Sequence, residues 1–140
     1  MIEKLVTGYT FEQEKTYTVA QLQKMAIDCG DSNFIHHDMV QAKQSRFNEI
    51  IASGSAISAI FSAMIPAHIS AMTPMLGLEM SFKFPSPIRP NTPIKMSWEI
   101  SDTRTKTDAT VVVTLNGIIL DANNQTLVTA KAQIMLLPSF

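Results

Sequence analysis

Ser53-Gly54-Ser55-Ala56-Ile57-Ser58-Ala59-Ile60-Phe61-Ser62-Ala63-Met64-Ile65, followed by Pro66, is the stretch on which the fold turns. From Ala56 to Ile65 the residues are apolar nearly all the way round a helix, with only the small hydroxyls of Ser58 and Ser62 admitted. A helix without a polar face must be surrounded by other structure. The run from Ile50 to Ile65 is too short, and too rich in serine, to span a bilayer. Pro66 is expected to end it.

Upstream, Thr18 with Gln21 three residues on is a capping-box signal. Leu22, Met25, Ala26 and Cys29 recur at helical spacing, and Gly30 fits the residue just past a helix end, so residues 19–29 read as a short amphipathic helix. Cys29 falls on its apolar face and is expected in the core. Asp31 to His37 is then a loop. Asp38 caps the next helix, whose positions Val40, Phe47, Ile50 and Ile51 would keep one apolar face until Ser53-Gly54-Ser55 interrupts it. Before all this, only a little strand near Lys15–Thr18 is expected.

Downstream the period changes to two. Leu78, Met80, Phe82 and Phe84 alternate with Glu79, Ser81 and Lys83, and Ile94, Met96, Trp98 and Ile100 alternate with Lys95, Ser97, Glu99 and Ser101. Both read as half-buried antiparallel strands, joined by a stiff segment with prolines at 85, 87, 90 and 93. Residues 109–120 and 126–137 make two more. Asn116-Gly117 and Asp121–Gln125 compete for the turn between them; the second leaves arms of matched length, so Gly117 is expected to be a bulge. Helices followed by a four-strand antiparallel meander mean α+β, in one domain spanning residues 1–140, with the sheet curled about the apolar helix.

Composition narrows the function classes. With 140 residues, 46% hydrophobic and 16% charged, the chain is globular with a lean charged surface, which a second copy in a dimer would cover most simply. A net charge of -1 speaks against nucleic acid or an anionic membrane as partner. One cysteine leaves no intrachain disulfide and no thiolate-rich zinc cluster. The segment Met1-Ile2-Glu3-Lys4-Leu5-Val6 has no signal-peptide core, so a soluble, cytoplasmic protein is expected.

The chemistry concentrates in the loop. Asp31 and His36, five residues apart, can converge on one atom as a water-activating pair would require. His37 reads as solvated and Asp38 as a cap. A metal site from His36, His37, Asp38 and His68 lacks a His-x-x-x-His or His-x-His pair, and no metal or cofactor is expected. The N–H groups opening the helix at Gly54 suit an oxyanion, and Gly54 lets a ligand approach the backbone. Ser62 by itself would bond back to the i−4 carbonyl.

Together, Gly30-Asp31-Ser32-Asn33-Phe34-Ile35-His36-His37-Asp38, then Ala42, Phe47, Ile50 and Gly54, resemble the hydratase motif of (R)-specific enoyl-CoA hydratases and MaoC-like dehydratases. Leu78-x-Met80-x-Phe82-x-Phe84-x-x-Pro87-Ile88 and Ala130-x-Ala132-x-Ile134-x-Leu136-x-Pro138 resemble later segments of that family, so the likeness spans roughly residues 15–138. It implies a hotdog fold, usually homodimeric, and reversible syn hydration of a trans-2-enoyl thioester of CoA or acyl-carrier protein to the (R)-3-hydroxyacyl form. It also implies that Asp31 and His36 activate water, that the Gly54 N–H binds the thioester oxygen, that Ser62 buttresses Asp31, and that Asn33 shapes the loop or contacts pantetheine. Three positions depart from the family's habit: Phe34 for proline, Ser53 for a histidine before the glycine, and Asn91-Thr92 for Gly-Asp. Phe34 and Ser53 are thereby marked for the pocket mouth. A hotdog thioesterase is one alternative function, against which the Asp31/Asn33/His36 spacing speaks; a non-catalytic acyl-thioester binder or partner subunit is the other, against which the intact Asp31–His36 pair speaks.

Overall fold

Period-two patterning builds one antiparallel sheet in the computed structural model, which describes residues 2–140. Its strands are β1 (Thr10–Lys15), β2 (Met75–Lys83), β3 (Ile94–Thr105), β4 (Val111–Asp121) and β5 (Thr126–Leu136), and the helices are α1 (Val19–Cys29), α2 (Met39–Lys43) and α3 (Gly54–Ile69). The strand order is β1-β3-β4-β5-β2. Only β3, β4 and β5 form a meander; β2 lies at the far edge beside β5, not next to β3. The proline-rich segment therefore carries the chain across the sheet, which a rigid connection without a ladder of its own can do. The first strand falls at Thr10–Lys15 rather than 15–18, and Phe11 sits opposite Trp98 on β3.

The sheet packs about α3. Ile57, Phe61, Met64, Ile65 and Ile69 of the helix share one buried cluster with Ile94, Met96, Trp98 and Ile100 of β3 and with inward residues of β4 and β5. Trp98 stacks on Phe61 at 4.4 Å, and its indole N–H donates to the Phe61 carbonyl at 3.0 Å. This is the hotdog arrangement, α+β. Gly117 is not a bulge: it pairs in register with Trp98 and Ala130, and the register shifts lie elsewhere. Glycine is needed there for space, since a Cβ would stand 2.7 Å from the Trp98 ring and 2.8 Å from Phe61. The turn at Asp121–Gln125 forms as expected, with the Asp121 carboxylate accepting the Asn123 and Gln125 N–H groups.

Three other expectations change. Pro66 lies inside α3, which continues to Ile69; the loss of one backbone bond is outweighed by the burial of Ile65 and Ile69. α2 stops at Lys43, Asn48 turns the chain at φ 63, and Val40 is exposed, while Ile50 and Ile51 join Leu22, Ile35 and Ala42 in a second small core. Apolar spacing there mimicked a helix because Ala42 on α2 and Ile50 and Ile51 in the irregular chain after it share that one small core. Finally, β2 is exposed along nearly its whole length, including Leu76, Leu78 and Met80, and α3 leaves Ser55, Ala59, Ala63 and Ala67 open. Neither the outer edge of β2 nor this side of α3 is covered within one chain. Among the described residues no helix is long and apolar enough to cross a membrane.

Candidate active site

Helix α1 ends where its sequence says it should, and that end places the acid. Thr18 and Gln21 make both bonds of the capping box at its start. At its finish Gly30 adopts φ 83, a left-handed conformation, and the Gly30 and Asp31 N–H groups bond back to Ile27 and Ala26. The Asp31 backbone is thus pinned to α1. Cys29, just before it, is exposed rather than in the core, with its sulfur 3.9 Å from the Ser53 hydroxyl. The helix end turns it outward.

Short-range bonds then shape the loop. Asp31 Oδ1 accepts the Asn33 N–H at 3.1 Å, and Asn33 Oδ1 accepts the Ile35 N–H at 3.4 Å, opening the 3-10 turn Phe34–His36. His37 is not simply solvated: its Nε2 donates to the Asp31 carbonyl, and its own carbonyl accepts from Gln23. His36 is buried, and its Nδ1 lies 2.8 Å from the Ile51 carbonyl. A carbonyl only accepts, so Nδ1 carries a proton, and in the neutral tautomer Nε2 presents a lone pair. Nε2 faces Asp31 Oδ2 at 3.3 Å. Two acceptors in this position are satisfied by a water donating one proton to each, or by a proton shared between them.

Ser62 does not reach Asp31. Its hydroxyl donates to the Ala59 carbonyl, at i−3 rather than the expected i−4, and it lies about 13 Å along the helix from the N-cap. Ser53 holds Asp31 instead: its hydroxyl donates to Oδ2 at 2.6 Å while accepting the Ala56 N–H at 3.2 Å as the cap of α3. The Ser53 hydroxyl, and after it the Asn33 N–H, hold the Asp31 carboxyl below its ordinary value of 3.8. Among the described residues, the Gly54 N–H has no acceptor.

His36, Asn33 and Gly54 line a cleft of about 530 Å³, together with Ile57, Phe84 and Val128. That volume suits a small organic ligand. Asp31, Ser53, Ser62 and Phe34 do not line it, and Phe34 is 46% exposed. The Phe84 ring lies so close to Gly54 that a Cβ there would stand 3.3 Å from it, so glycine leaves the ring its place against the helix start. The Ile51 carbonyl, Phe84 and Val128 were not singled out as site residues from the sequence. Only Phe84 stood in a recognisable pattern, and nothing local marks a carbonyl fifteen residues away as the orienter of His36. At the departure from Gly-Asp, Asn91 takes φ 59, which asparagine tolerates where glycine is usual, and the Thr92 hydroxyl closes the turn on Arg89. Among the described residues no three His, Cys, Asp or Glu side chains converge in a metal-binding group.

The sequence model of the MaoC like domain matches residues 3–122. No curated protein matches the chain. Among solved structures, the R-hydratase PhaJ1 from Pseudomonas aeruginosa in its unliganded form is similar with TM-score 0.80 and 23% identity, over 96% of this chain and 83% of that one. An (R)-hydratase from A. caviae involved in PHA biosynthesis gives TM-score 0.79 and 20% identity, over 91% and 94% of the two chains. The MaoC-like dehydratase from Rhodospirillum rubrum gives 0.82 and 19%, over 97% and 95%. At these identities the structural matches show a common fold, and they extend over β5, which the sequence match leaves out. Because the family's own sequence model covers most of its length, the chain belongs to the MaoC-like hydratase/dehydratase family.

Proposed function

We propose that the chain is a hydro-lyase that adds water reversibly, in the syn sense, to a trans-2-enoyl thioester of CoA or acyl-carrier protein, giving the (R)-3-hydroxyacyl thioester. The observation that carries this reading is the 3.3 Å approach of His36 Nε2 and Asp31 Oδ2, beside a cleft that also holds the start of α3. A water donating to both has its oxygen lone pair free for C3 of the enoyl group. C3 becomes electrophilic only as negative charge reaches the thioester oxygen. The Gly54 N–H, with the positive end of the α3 dipole behind it, is suited to receive that charge. The pair takes one proton from the water and returns a proton to C2 on the same face. The balance is OH at C3 and H at C2, with nothing oxidised or reduced and no cofactor or metal required.

Crotonyl-CoA hydration, followed as loss of the enoyl absorbance, is the test. Asp31→Asn and His36→Ala are each expected to lower the rate by about 10²–10⁴-fold with the fold retained. Wild-type turnover in either variant would overturn the mechanism, and release of free thiol without hydration would favour a thioesterase.

We also propose that two copies assemble through the face that one chain leaves open. Its supports are the unpaired edge of β2, the exposed Leu76, Leu78 and Met80, and the small residues Ser55, Ala59, Ala63 and Ala67 along α3.

A further inference from the structure

Ser53 is 1% exposed, and its hydroxyl does two things at once. As an acceptor it caps α3 through the Ala56 N–H at 3.2 Å. As a donor it meets Asp31 Oδ2 at 2.6 Å, across 22 residues of sequence. A helix cap needs only an acceptor, which asparagine or aspartate would supply as well. Aspartate here would repel Asp31. A hydroxyl can accept from the helix and donate to the carboxylate together.

We propose that Ser53 is the positioning residue of this site, fixing the Asp31 carboxylate to the first turn of α3 so that acid, base and Gly54 N–H keep one separation. The inference rests on the hydration reading above. Asn33 N–H holds the other carboxylate oxygen, so the group is fastened at both ends and cannot rotate away from His36. Ser53 is bonded covalently to Gly54, so the tie to Asp31 is one residue from the group proposed to receive the thioester charge. The titratable groups near Asp31 are His36 at 3.3 Å, His37 through the Asp31 carbonyl, and Cys29, whose sulfur lies by the Ser53 hydroxyl. α3 contributes none there, because its one titratable residue, His68, is bonded to Tyr9 near the other end of the helix. Ser53 is also the strongest of the influences that keep Asp31 ionised, ahead of the Asn33 N–H.

The test follows the Asp31 carboxyl by carbon NMR and records the pH profile of crotonyl-CoA hydration in wild type, Ser53→Ala and Ser53→Thr. In Ser53→Ala the carboxyl is expected to titrate at higher pH and kcat to fall about tenfold or more, with KM near wild type and the acid limb of the profile shifted up. Ser53→Thr, which keeps the hydroxyl, restores both. Ser53→Gly, a milder change at a helix cap, replaces the alanine variant should that fail to fold. An unmoved Asp31 titration in the folded variant, or alanine and threonine variants that behave alike, overturns the proposal. A wild-type protein that turns over no enoyl thioester defeats the hydration reading, while the carboxyl titration still decides the Ser53–Asp31 tie.

Discussion

The loop from Gly30 to Asp38 and the strand β2 are both exposed in part, yet they are held in opposite ways. In the loop nearly every polar group has a partner within the chain: Asp31 has Ser53 and Asn33, Asn33 has Ile35, His36 has Ile51, and Asp38 caps α2. β2 has β5 on one side only; Met75 and Phe82 pack in part against the core, but Leu76, Leu78 and Met80 are exposed. The loop is polar and fastened; the middle of the strand is apolar and open. Directional bonds fix a geometry without needing burial, whereas an apolar face is stabilised only by what buries it. The geometry of the loop is therefore set by bonds within the chain, while part of the apolar surface of β2 stays open in a single chain.

Three changes sharpen that contrast. Gly30→Ala should have the largest effect on the single chain, about 1–2 kcal/mol, because φ 83 disfavours any Cβ although nothing stands within 4 Å of it. Urea unfolding measures the loss; an unchanged midpoint would mean that the left-handed turn does not hold the loop. The second concerns pH. Asp31 has a folded-state value below 3.8, so in that range the unfolded chain binds a proton that the folded chain does not. Its contribution to stability is present above the ordinary carboxylate range and is lost as pH falls through the folded value. The difference in Tm between wild type and Asp31→Asn should accordingly narrow on acidification below about 3.8, and a constant difference would contradict the fastening. The smallest effect on the single chain belongs to Leu78→Lys with Met80→Lys, less than about 0.5 kcal/mol for each substitution. Light scattering should nevertheless show two chains reduced to one, and a dimer that persists would place its interface elsewhere.

The helix start at Thr18, the stop at Gly30 and the hairpin at Asp121–Gln125 were legible because each is a bond between residues two to five apart. The strands were legible because alternation survives any register, although their order did not follow from it. The extent of α2 was misread, since Phe47, Ile50 and Ile51 keep helical spacing while lying in irregular chain. In the site, Asp31, Asn33 and His36 form a compact local pattern, and the structure sets them beside the start of α3. The serine that holds Asp31 was misassigned. Ser53 and Ser62 are equivalent hydroxyls to a reader of the sequence, and only the packing of α1 against α3 decides which one meets the acid.

By itself, then, the amino-acid sequence determined where helices start, stop and turn, and that an acid, an amide and an imidazole crowd one short loop, because those properties depend on neighbours a few residues away. Tertiary structure alone decided that β2 sits beside β5, that Gly117 makes room for Trp98 and Phe61, that Ile51 orients His36 and that Ser53 holds Asp31. Each of these joins groups distant in sequence, and which distant groups meet is settled by how apolar surfaces share one core.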